Sequence, residues 1–172
     1  MIFWGYFFTA CAYFLYGASR FCKTKQYMLL LDLLSKPFMA AGLYYFQSLS
    51  GSYIMLVICF MLIAANLKEH FKTKWLIGYL FFQSLYLLIL YHTYIGFSSI
   101  LITLCVSITL FCTWWLPPQK MRLICGFNCF ISLAYHLSIR NWLGIFELIS
   151  MTSNFSAYYN MKRKSKRKLK SI

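Results

Sequence analysis

Seven apolar blocks separated by short basic or polar gaps run through the chain, and no other feature constrains its fold as strongly. They cover approximately 2–19, 27–49, 52–67, 75–91, 97–116, 123–139 and 143–161. Each is long enough, or nearly so, to cross a hydrocarbon core of about 30 Å as a helix. Only helices and closed barrels satisfy their backbone groups in lipid, and a barrel would need segments of alternating polarity, whereas these blocks are continuous. Of the 172 residues, 61% are hydrophobic and 12% charged, too apolar a chain to cover its own surface with polar groups. Disorder is excluded as well, because 21% of the residues are aromatic and disordered segments have few aromatics and low hydrophobicity. The expected fold is all-α: a polytopic membrane protein of seven transmembrane helices over 1–161, followed by a basic tail over 162–172.

A net charge of +14 raises nucleic-acid binding as a possibility, but the cations are distributed against it. Seven of the 17 Lys and Arg lie in the tail, and the others fall mostly in the gaps. Arg20, Lys23 and Lys25 follow the first block; Lys68, Lys72 and Lys74 follow the third; Lys120 and Arg122 follow the fifth. The links at Ser50–Gly51 and 92–96 carry none. The alternation puts fifteen of the 17 cations on one side, and the positive-inside rule makes that side cytoplasmic. The N-terminus is then outside and the C-terminus inside, with the tail lying in solvent or on anionic lipid. No positive charge precedes the first block, which argues against a cleavable signal peptide. Trp4, Tyr44, Tyr45, Tyr53, Tyr91 and Trp142 fall near the outer boundary of this frame. Trp75, Trp114, Trp115, Tyr158 and Tyr159 fall near the inner one, as aromatic belts would. The seven cysteines include no C-x-x-C pair and no zinc-ligand spacing, so they read as small apolar side chains. No cofactor or metal motif occurs.

Blocks one to three and five to seven have similar lengths, with block four as a spacer. A shift of 93 residues aligns Gln26 with Gln119, Met28 with Met121, Gly51 with Gly144 and Ala64 with Ala157. The order fits a three-plus-one-plus-three arrangement of parallel triple-helix repeats over 1–67 and 97–161, joined by a linker helix at 75–91, an architecture known among transporters.

Gly5 and Tyr6 in the opening helix, the basic turn at 23–26, the run at 29–35, Gly42 with Tyr44 and Tyr45, and Ser50–Gly51 resemble the YgjV-type bacterial inner-membrane proteins. Lys120 to Arg122, Tyr135 and His136, Gly144, and the Glu147 helix ending in Lys162 and Arg163 extend the resemblance over nearly the whole chain. It implies a location, the bacterial cytoplasmic membrane. The helix order is also similar to that of the SWEET and PQ-loop group of small-solute carriers, with Pro118–Gln119 echoing the PQ dipeptide. That likeness implies substrate asparagines on the third helix of each bundle, which Asn154 fits better than Asn66.

Ionisable residues inside spans are costly and mark interiors or water-filled cavities. Asp32 and Lys36 lie four apart on one helix face and can neutralise each other. Pro37 removes the backbone hydrogen bond to the Leu33 carbonyl, so a hinge is expected there, with Pro118 as a second. Glu147, Ser150 and Asn154 share one stripe of the seventh helix, and Arg140 is the simplest ion-pair partner for Glu147. The stripe either lines a substrate path or joins helices. Asn128 adds an amide to the sixth helix. Ser132 and His136, one turn apart with Glu147 across the hairpin, raise a hydrolase triad that lacks an oxyanion site. The leading expectation is a small-solute carrier or facilitator, not an enzyme, whose cavity uses Asp32, Lys36, Asn128, Glu147, Ser150 and Asn154. A membrane accessory or sensor protein is the alternative, and an intramembrane hydrolase ranks last.

Overall fold

The computed structural model describes residues 2–20, 22, 24–71 and 76–170, without the side chains of 20, 25, 68–71, 118 and 164–170. Lys23, Lys72, Lys74, Trp75 and the last two residues of the tail lie outside the described residues. The described chain is all-α: α1 (Ile2–Arg20), α2 (Lys25–Tyr45), α3 (Leu49–Phe71), α4 (Leu76–His92), α5 (Phe97–Trp115), α6 (Pro118–Ser138) and α7 (Phe146–Lys170), with a one-turn 3-10 helix (Trp142–Ile145) ahead of α7. Two stretches, Leu49–Leu67 and Phe97–Trp115, are long and apolar enough to cross a membrane. The other helices either are shorter, as α4 is, or are diluted by Tyr, Gly and charged residues along their length. Helix α7 continues through the tail to Lys170.

The helices pack as a ring in the order α1–α2–α3–α5–α6–α7 and back to α1, with α4 outside against α3 and α5. Packing is densest within the triplets α1–α2–α3 and α5–α6–α7, and thinnest where α7 meets α1 and α3 meets α5. Close approach within the first triplet depends on glycine: a Cβ on Gly42 would collide with Thr9 of α1, including its backbone nitrogen. The largest apolar core joins Leu29, Leu43, Ile54, Met61, Leu62, Tyr86, Ile102, Leu110 and Trp114 across α2 to α5.

The two triplets run in the same helix order, and their middle helices, α2 and α6, stand at a separation of 93 residues. Helices α2 and α6 begin and end at that interval, Lys25 to Pro118 and Tyr45 to Ser138. So do the hairpins that follow them. Gln47 and Arg140 adopt positive φ values of 59° and 58°. The Ser48 amide donates to the Leu43 carbonyl at 3.0 Å, and the Asn141 amide to the His136 carbonyl at 2.9 Å. Both helices therefore end in the same left-handed cap, in which an amide beyond the helix reaches back to a carbonyl of its last turn. At Gly51 and Gly144, the next pair at this interval, a Cβ would meet the Tyr135 hydroxyl and, less closely, Leu43 in the first case and His136, which stands 93 residues after Leu43, in the second.

The outward faces of the ring are apolar. Phe14, Phe60, Ile77 and Tyr91 are 67–84% exposed. Trp4, Tyr44, Tyr53 and Trp142 are exposed, as expected of belt residues. Trp114 corrects that reading: it is buried against Phe82 of α4, and its neighbour Trp115 takes the outer position beside Tyr79.

Candidate functional site

A cavity of about 90 Å³ lies at the centre of the ring, lined from all six of its helices and not from α4. Its polar wall comes mainly from α2 and α6. On α2, Asp32, Ser35, Lys36 and Met39 recur at helical spacing and face inward. On α6, Cys125, Asn128, Cys129 and Ser132 do the same, and each stands 93 residues after its α2 counterpart. Tyr13 and Tyr16 of α1 correspond in the same way to Val106 and Thr109 of α5, all four on the wall. To the same wall α3 contributes only Met55, Ile58 and Leu62.

The ion pair expected between Asp32 and Lys36 is present, with Nζ 2.6 Å from Oδ1 and both side chains mostly buried. The ammonium also lies 5.0 Å from the centroid of the Tyr16 ring, within cation–π range. Ser35 donates to the Asp32 carbonyl at 2.6 Å, one turn before Pro37, which stands inside α2. Pro118 occupies a different position from the hinge expected of it: it opens α6 at the first turn, where a missing amide costs nothing.

Glu147 is held by hydroxyls. Tyr13 donates to its Oε1 at 3.1 Å and Ser132 donates to the same oxygen at 2.9 Å. Arg140, expected as its partner, instead sits exposed in the left-handed hairpin position, where its backbone carbonyl accepts from Tyr6. The hairpin cap fixes Arg140 outside the helix end, and the 3-10 turn leads into α7, which carries Glu147 in its first turn. Ser150 and Asn154 are buried on the same stripe but do not line the cavity. Asn154 donates back to the Ser150 carbonyl of its own helix at 2.9 Å. Asn66, likewise, donates to Leu62 of its own helix. His136 reaches the cavity wall, with Nδ1 3.1 Å from the Asn141 amide nitrogen. Ser132 thus has a carboxylate partner and His136 an amide partner, which is not the relay a hydrolase triad needs.

Asn128 is the most informative side chain. Its Nδ2 donates to the Cys105 carbonyl at 2.8 Å and to Thr109 Oγ1 at 3.0 Å. A backbone carbonyl can only accept, so the amide orientation is fixed. Its Oδ1 is left buried with no hydrogen-bond partner. The cysteines are all free, and no group of three or more metal-ligating side chains occurs among the described residues. No family model, curated protein or solved structure matches the chain.

Of the six residues expected at a site, the cavity brings together Asp32, Lys36, Asn128 and Glu147. Sequence reasoning passed over Tyr13, Tyr16, Ser35 and Thr109. Reading the 93-residue interval along α1 and α2 would have found Ser35 opposite Asn128, and Tyr16 opposite Thr109.

Proposed function

We propose that this chain is a multi-pass protein of a bacterial cytoplasmic membrane that carries or facilitates passage of a small polar solute through the central cavity. The observation that carries this reading is a polar cavity walled by equivalent positions of α1 with α5 and of α2 with α6. Parallel repeats with a site at their interface are a transporter plan, in which one bundle rocks against the other. The thin seams at α7–α1 and α3–α5 are where such movement costs least packing. The apolar outer faces support a lipid environment: soluble monomers rarely expose patches of this extent, and lipid requires no polar covering. The cytoplasmic side is the one bearing Lys120, Arg122 and the tail, with the tail on anionic lipid. The resemblance to YgjV-type proteins points to the same membrane.

The accessory or sensor alternative needs polar groups that only join helices. The Asn128 Oδ1 argues against it, because it is a buried acceptor bonded to no other helix. Two experiments test the proposal. Reporter fusions after Lys74 and Ile172 should read cytoplasmic and one after Thr93 external; an external signal at Ile172 would overturn the seven-span topology. A panel of small metabolites should include members that raise the thermal stability of the purified chain and enter proteoliposomes containing it. A panel with neither effect would favour the accessory reading.

A further inference from the structure

The cavity has a chemical bias that narrows its occupant. Its lining carries two carboxylates, Asp32 and Glu147, and one ammonium, Lys36. With His136 counted as neutral, the wall has one negative charge in excess. The Lys36 charge is already engaged, at 2.6 Å from Asp32 and over the Tyr16 ring. On the opposite wall, Asn128 is 6% exposed and its Oδ1 is without a partner. A buried acceptor left unpaired costs about 1–3 kcal/mol, and a donor arriving in the cavity would recover it. Asn128 and Ser132 are one turn apart on the same face of α6, about 6 Å along the axis. Ser132 bonds Glu147, so the residue that holds the carboxylate is one turn along α6 from the residue that carries the orphan acceptor, and Asn128 and Glu147 both line the cavity. The part of the wall that α3 supplies is Met55, Ile58 and Leu62, which suits a short alkyl group and offers nothing to an anion.

From these features together we infer that the cavity binds a small primary ammonium ion with a short alkyl group. Its N–H donors go to Glu147 and to Asn128 Oδ1, and its carbons lie against α3. The volume of about 90 Å³ limits it to a few heavy atoms. A bare metal cation fits less well, because no group of three or more His, Cys, Asp or Glu side chains stands together among the described residues to hold one.

This inference rests on the carrier reading, and one size-matched set of probes separates the two. Ethylammonium, acetamide, acetate and sodium are each titrated against the purified full-length chain in detergent by thermal shift, then tested for flux in proteoliposomes. Ethylammonium should stabilise the chain and exchange across the vesicle membrane, with apparent affinity at least tenfold above acetamide, acetate or sodium. Glu147→Gln should weaken ethylammonium binding by tenfold or more, and Asn128→Leu by about fivefold. If Glu147→Gln does not fold, the wild-type selectivity and Asn128→Leu decide the question. Binding and flux of acetamide or acetate in preference to ethylammonium would overturn the ammonium assignment and leave the carrier reading standing. Sodium matching ethylammonium would replace it with a metal cation. No binding and no flux of any probe would sink the ammonium site, and the carrier reading would then stand or fall on the wider metabolite panel.

Discussion

The hairpin joining α2 to α3 and the hairpin joining α6 to α7 turn through the same cap, with Gln47 and Arg140 at φ values of 59° and 58°. Behind those caps the two halves differ in their polar chemistry. The first half places its charges within one helix, where Asp32 and Lys36 neutralise each other one turn apart. The second half places an amide and a hydroxyl on α6 and an acid on α7, and the acid is held by Tyr13 from the first half. The backbone plan is shared and the side-chain chemistry is not. One half is electrostatically closed on itself; the other is completed only across the seam. That division is what a cavity between two rocking bundles would use, since groups bridging the seam respond to its movement.

The largest effect should come from breaking the self-contained pair. Asp32→Asn or Lys36→Met leaves a buried charge without its partner and should destabilise the chain by about 3 kcal/mol. The double variant should lose much less, because the two changes are coupled. Thermal or denaturant unfolding in detergent measures all three, and additive losses would show that the pair contributes no coupling.

Next comes the glycine comparison. A Cβ on Gly144 would run into the His136 Cβ, close to the α6 backbone, whereas one on Gly51 would meet chiefly the far end of Tyr135. Gly144→Ala should therefore cost about 2 kcal/mol and Gly51→Ala clearly less, in the same unfolding assay. Equal losses would mean that the two hairpins are packed alike after all.

A smaller change is expected at the seam. Tyr13→Phe removes one hydrogen bond to a carboxylate and should cost about 1.5 kcal/mol, with a larger effect on binding of an ammonium probe than on unfolding. Smallest is the outer helix: Gln83 of α4 donates to Ser107 of α5 at 2.9 Å, and Gln83→Leu should change stability by less than about 1 kcal/mol. It should leave probe binding untouched, because α4 does not reach the cavity.

Much of this was legible in the sequence. The blocks marked the helices, and the 93-residue shift noticed at Gly51 and Gly144 is the interval at which α2 and α6 begin and end. Spacing alone paired Asp32 with Lys36, because i and i+4 on a helix must be neighbours. The partner of Glu147 was not legible, since Tyr13 lies 134 residues away and only closure of the ring brings α1 to α7. Arg140 was the nearer choice along the chain, but the left-handed cap turns it outward, a backbone event that an apolar pattern does not encode. Spacing put Glu147, Ser150 and Asn154 on one stripe, and all three are buried, but only Glu147 lines the cavity. Which part of that face meets a cavity depends on where the neighbouring helices stand, and the Asn154 amide nitrogen turns back to its own helix instead.

Accessibility of equivalent positions in the two halves tests the shared cavity most directly. On a background without the native cysteines, Ser35→Cys, Met39→Cys, Asn128→Cys and Ser132→Cys would each be exposed to a small, water-soluble, positively charged thiol reagent in lipid nanodiscs. The outward-facing Leu34→Cys, Phe38→Cys, Phe127→Cys and Phe130→Cys serve as comparison. A cavity walled by both α2 and α6 predicts labelling at all four inward positions, slowed by ethylammonium, with the outward four unreactive. Labelling confined to one helix of the pair, or to the outward positions, would contradict it.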